Sequence, residues 1–172
     1  MDSVQLTKQM LSKINSSSYY PIKRSFSQTL NTCNIDAVIA YSKISDTKND
    51  LFSQNIEFLV CGLCYNVNKP TESFDKTRVN FETLLKRLAA TDKEKSKPRT
   101  TEIENFLRLR LDNNGYFHKR FAIVAKKAIS FIAPNEIINY EQLVNDLKSW
   151  NNGNTTKLRW AMTIASIETE EK

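Results

Sequence analysis

A chain of 172 residues with 40% hydrophobic and 26% charged side chains can bury a real core but cannot make two full-sized domains, and its near-average composition excludes wholesale disorder. Three glycines and four prolines are too few for the turns of an all-β fold, no run reaches the roughly 18–20 apolar residues of a membrane span, and residues 2–13 lack the charged-then-apolar order of a signal peptide. The formal net charge of +6 is regional: residues 1–75 carry seven Lys/Arg against seven Asp/Glu, residues 76–134 fourteen against six, and residues 135–172 four against six, so a basic middle third faces polyanions between neutral and acidic flanks.

The elements follow in order. Leu6, Met10, Leu11 and Ile14 repeat at helical spacing before an Asn-Ser-Ser-Ser stop at 15–18, and a second helix follows Pro21 with Ile22, Phe26 and Leu30 on one face. A third runs from Ile35 through Val38 and Ile39. The fourth, over 51–67, contains Ile56, Leu59, Val60 and Leu63 and reads as the most buried helix of the first half. Phe81, Leu84, Leu85 and Leu88 mark a fifth helix; residues 91–98 are charged and proline-ended, a surface loop or linker. Thr101 and Glu104 have capping-box spacing ahead of Ile103, Phe106 and Leu107, and Asn113, Asn114 and Gly115 end that helix. A long helix is expected over 116–132. Asn139 with Gln142 repeats the capping spacing before Leu143, Val144, Leu147 and Trp150; after a turn at Gly153, a last helix is expected to bury Leu158, Ala161, Met162 and Ala165. No strand signal is visible. The expectation is an all-α protein of about eight helices, as one compact unit or as two lobes over 1–75 and 76–172, soluble and cytoplasmic. Its odd number of three cysteines also fits a reducing compartment.

The sharpest signal lies on the 116–132 helix. At 100° per residue, Phe117, Phe121, Val124, Ala125, Ala128, Phe131 and Ile132 share about 120°, while Lys119, Arg120, Lys126 and Lys127 share about 120° on the far side. The first face is core; the second is a two-turn cationic stripe of the kind that holds backbone phosphate, or the solvated exterior of an ordinary amphipathic helix. Ile123 sits within the stripe, which also suits a protein partner. Lys86, Arg87, Arg108 and Arg110 flank it, Lys93, Lys95, Lys97 and Arg99 populate the loop, and Lys23 and Arg24 form an isolated pair.

Cys61 and Cys64, three apart on a helix, read as small apolar residues on one face, since no second pair completes a zinc site. His118, the single histidine, has no carboxylate or nucleophile partner in its helix and reads as a surface residue or phosphate contact. No glycine-rich phosphate loop, HExxH or nucleophile elbow is present. Neither metal nor cofactor is expected, and catalysis is not. Trp150 and Trp160 are expected to pack together or into the core.

The order of motifs FETLLKRLAA (81–90), NFLRLRL (105–111), KRFAIVAKKAISF (119–131), INYEQLVNDLKSWN (138–151) and RWAMTI (159–164), with PIKR (21–24) and IEFLVCGLCY (56–65) upstream, resembles the small subunit of type I-E Cascade, the RNA-guided CRISPR surveillance complex. Glu82, the Glu104-Asn105 pair and Met162 depart from its pattern. The resemblance implies a non-catalytic helical subunit, present in two copies among the other Cascade subunits, that supports the hybrid of guide RNA and target DNA and the displaced strand by backbone contacts. By motif position the implied contacts are Lys23, Arg24, Lys86, Arg87, Arg108, Lys119, Arg120, Lys126 and Lys127, with Arg159 a weaker candidate. Two other readings stand beside it: a helix-turn-helix regulator built on the pair of helices after Asn139, and a structural subunit whose basic face meets an acidic protein.

Overall fold

The computed structural model describes residues 20–45, 50–67, 76–91, 98–112 and 114–166. Among them eight helices and two short strands follow in the order α1 (Tyr20–Arg24), α2 (Ile35–Ser42), α3 (Leu51–Val67), β1 (Thr77–Val79), α4 (Phe81–Ala90), α5 (Pro98–Leu107), α6 (Tyr116–Ala128), β2 (Glu136–Ile138), α7 (Tyr140–Lys148) and α8 (Thr155–Ala165), with a 3-10 turn over Ile129–Phe131. The fold is mostly α, as composition predicts. The expected helix at Leu6–Ile14 lies outside the described residues, as does most of the 91–98 loop.

Why each helix starts and stops is legible locally. Asn34 accepts a hydrogen bond from the Asp36 amide to start α2, and Asn139 accepts one from Gln142 N to start α7. The second half of that capping box is missing: the Gln142 side chain donates to Asp146 Oδ1 at 2.7 Å. The Thr101–Glu104 box does not form. Helix α5 begins three residues earlier at Pro98, a residue whose fixed φ and absent N–H suit a first helical position, so Thr101 sits inside the helix. The same helix ends at Leu107, before the Asn-Asn-Gly stop. Helix α1 is five residues long, shorter than its spacing predicts, because the chain turns after Arg24 to bring Phe26 onto α3.

The core is one continuous cluster drawn from both halves of the chain. Helix α3 is its axis on the N-terminal side: Ile56 to Cys64 are all buried, and burial pushes the Cys61 thiol up. A Cβ on Gly62 would stand 2.9 Å from Phe26 Cδ1 and 3.1 Å from Phe26 Cα, so the absence of a side chain there sets how closely the chain after α1 lies on α3. Helix α6 is the hub of the other side. Its Phe121 meets Phe26 at 6.2 Å, Phe81 at 5.1 Å, Phe106 at 5.8 Å and Phe117 at 6.2 Å between ring centroids. Trp150 and Trp160 pack edge to face at 5.1 Å, both fully buried, as expected for the pair.

The structure also departs from expectation in a strand pair and in the rotation of α8. A parallel strand pair exists, with Thr77 opposite Glu136 and Val79 opposite Ile138; three residues are too few to show a period of two, which is why the pattern is invisible in sequence. The pair sets the starts of α4 and α7 side by side, where Asn139 N donates to Val79 O at 2.8 Å. Helix α8 is also turned from its expected orientation. It buries Trp160 and Thr156, whereas Leu158 is 58% and Met162 65% exposed and Ala165 is exposed. The indole is the larger apolar surface, and Arg159 is drawn to carboxylates beside it, so those two residues fix the rotation.

Candidate nucleic-acid interface

The inner face of α6 is as expected: Phe117, Phe121, Val124, Ala125 and Ala128 are buried. Phe131 and Ile132, past the end of the α-helix in the 3-10 turn and beyond, are half-buried against the core. With that side locked into an aromatic cluster, the opposite side has no freedom to rotate away from solvent. Lys119 and Lys126 are exposed and Arg120 half-exposed, and none of the three makes an ion pair among the described residues. They are cations on an anchored helix with no counter-charge among the described residues, the arrangement that backbone phosphate needs.

The other predicted cations separate into groups. Lys127 is tied to Glu102 of α5 at 2.6 Å. Arg87 grips Glu136 with both terminal nitrogens, at 2.7 and 2.9 Å, and donates to the Phe131 carbonyl at 3.0 Å. That fork raises the Arg87 pKa and holds the Glu136 carboxyl below the usual carboxylate range. It staples α4 to the segment after α6. Arg159 lies between two buried carboxylates, Glu82 at 3.2 Å and Asp146, which also accepts from Trp160 Nε1 at 2.9 Å. Arg87 and Arg159 are thus structural pins first. Arg108, just past the end of α5, is exposed and reaches back to Asn105 at 2.8 Å and Glu104 at 3.9 Å, Arg110 is exposed, and Lys86 is half-buried and already engaged. On α1, Arg24 is exposed and Lys23 half-buried.

Arg24 is linked to the start of the stripe only through Gln28, which lines two neighbouring clefts. An open cleft of about 560 Å³ beside Tyr116 and Lys119 is walled on its far side by Ser27, Gln28 and Thr32. A second cleft, about 360 Å³, lined by Arg24, Ser25 and Asn34, shares Gln28 with the first. Tyr116 opens the helix expected over 116–132. The wheel that places Lys119 and Arg120 together puts Tyr116 between them, so the signal was available.

His118 is corrected from surface residue to core. It is fully buried, and its Nε2–H donates to the Asn55 carbonyl of α3 at 3.1 Å, while Nδ1 has no partner. Desolvation lowers its pKa, with the Asn55 bond and Asp112 acting weakly the other way. The unfolded chain therefore binds a proton that the folded chain refuses. Stability is full above the unfolded histidine value of about 6.5 and falls as pH drops through and below it, at most by about 1.4 kcal/mol per pH unit. Glu136, also depressed, gives way only below the ordinary carboxylate range near 4.3, so the two windows separate. Urea unfolding at pH 7.5 and 5.5 is expected to show the loss in the native chain and a smaller loss in His118→Gln. Equal losses would assign the acid sensitivity to other groups.

No family model, curated protein or solved structure matches this chain in comparisons of its sequence and fold. Among the described residues no helix is long and apolar enough to cross a membrane.

Proposed function

We propose that the chain is a non-catalytic, cytoplasmic small subunit of an RNA-guided CRISPR effector complex of the Cascade kind, lying with a second copy and the other subunits along the guide RNA–target DNA hybrid and the displaced strand. The observation that carries this reading is the α6 face, where Lys119, Arg120 and Lys126 stand out from a helix whose other side is immobilised. In such a complex base pairing reads the sequence, so the protein needs positioned charge and shape, and no base-reading code. The ordered motifs support the family reading, and the cationic face supports the physical role.

The test is a triple reversal, Lys119→Glu, Arg120→Glu and Lys126→Glu, which spares the Lys127–Glu102 pair. Affinity for a single-stranded oligonucleotide at low salt is expected to fall at least 100-fold, and the slope of log K against log salt to shrink by about 2, at roughly 0.7 for each phosphate that is no longer neutralised. The far-UV spectrum should stay helical. Unchanged affinity and slope would sink the proposal.

The helix-turn-helix reading fares worse on α8, whose outer face presents Leu158 and Met162 and whose Arg159 is neutralised by two carboxylates. A structural subunit facing an acidic protein draws support from Ile123, 36% exposed within the stripe; salt-insensitive binding of a protein partner, without nucleic-acid affinity, would favour it.

A further inference from the structure

The outward face of α6 is not made of cations alone. On the helix wheel Tyr116 and Ile123 fall among Lys119, Arg120 and Lys126, and both are exposed, Tyr116 by 57%. A duplex gives such residues little to hold, because its base faces are hidden in the stack. An unpaired base has an open π face that stacks on an aromatic ring whatever the sequence, and that preference, interleaved with cations, distinguishes single-strand binding.

Tyr116 also forms one wall of the 560 Å³ cleft. Across from it, Ser27 and Gln28 are exposed, and their side chains make no hydrogen bond among the described residues. An amide and a hydroxyl supply both donors and acceptors, which suits the mixed edge of a base. Lys119 borders the cleft on the α6 side, and Arg24 borders the adjoining cleft through the shared Gln28. The site therefore has a stacking surface, a polar wall, one cation at its edge and a second in the adjoining cleft.

We infer that this cleft takes one unpaired nucleobase of a single strand, stacked on Tyr116 with its edge toward Gln28 and Ser27, and with the neighbouring phosphates on Lys119 and Arg24. The inference rests on the phosphate-binding reading of α6 and narrows it: the strand on this face is single, and it is held by a base as well as by its backbone.

The experiment measures fluorescence anisotropy of three labelled ligands of equal length: single-stranded oligothymidylate, an abasic sugar-phosphate oligomer and a DNA duplex. Tyr116→Ala is expected to weaken oligothymidylate binding about 5- to 150-fold, the worth of one stacked base, while leaving the abasic oligomer and the salt slope unchanged. Tyr116→Phe should retain native affinity. The inference is overturned by equal loss on both single strands, by no loss on either while the native chain binds them, or by duplex binding as tight as that of oligothymidylate. If the native chain fails to bind the abasic oligomer at low salt, the phosphate reading falls and this inference with it.

Discussion

Trp150→Ala is expected to be the most damaging single substitution in the described chain, lowering stability by about 4–5 kcal/mol, near the top of the range for a buried aromatic truncated to alanine. The indole is fully buried at the junction of three elements. Its ring meets Phe106 at 5.5 Å, Phe117 at 5.6 Å and Trp160 at 5.1 Å, and its Nε1–H donates to the Leu109 carbonyl at 2.9 Å. Lys157 lies over the same ring at 5.5 Å. Alanine leaves a void walled by aromatic rings, which cannot collapse into it as short side chains can, and it orphans a carbonyl in the stretch after α5. Chemical denaturation with near-UV circular dichroism measures the effect directly. A loss under about 2 kcal/mol would mean that the aromatic cluster closes over the gap, contrary to its rigid packing.

Arg159→Met is expected to cost about 2–4 kcal/mol although the arginine is itself 46% exposed. The cost lies behind it. Glu82 and Asp146 side chains are each 4% exposed, and without the guanidinium both carboxylates are buried with no compensating positive charge among the described residues. The range is set below that of a fully buried pair because water already reaches the arginine. Glu82 is the weaker member, since its Oε1 has no hydrogen-bond partner, whereas Asp146 also accepts from Trp160 and Gln142. Combining Arg159→Met with Glu82→Leu should therefore recover part of the loss, as an apolar pair replaces an ionic one. An additive double mutant would show that the two residues do not act as a pair. Oligonucleotide affinity of folded Arg159→Met is expected to move little, because the charge removed is already balanced.

Much of the fold is written in apolar spacing. Phe81, Leu84, Leu85 and Leu88, and likewise Leu143, Val144, Leu147 and Trp150, are buried as their period predicts. Periodicity fails where a polar contact outweighs it. On α8 the pull of Glu82 and Asp146 on Arg159, together with the Trp160 indole, turns Leu158 and Met162 outward. On α6 it is the neighbour across the fold that matters: His118 looks like a surface residue beside Lys119, yet it is placed inside by a carbonyl on α3, 63 positions earlier. The strand pair is too short to signal itself. For the interface, the stripe of Lys119, Arg120 and Lys126 is legible from the wheel, but the division between available cations and pins is not, because Arg87, Lys127 and Arg159 find partners on other elements. Nor does the cleft beside Tyr116 appear in sequence, since its far wall is the turn after α1.

The contact between Arg159 and Glu82 spans 77 positions, and it has a consequence for how the chain is made. During synthesis Glu82 emerges with α4 long before α8 exists, and β1 must likewise wait for β2, 59 positions later. Closing a loop of that length costs roughly 3–4 kcal/mol in chain entropy on top of a fixed initiation cost, more than three-residue strands return on their own. The middle helices α4, α5 and α6 are therefore expected to assemble first around Phe121, with Glu82 awaiting its arginine on their flank, and the fold becomes fully stable only when α8 clears the ribosome and delivers Arg159.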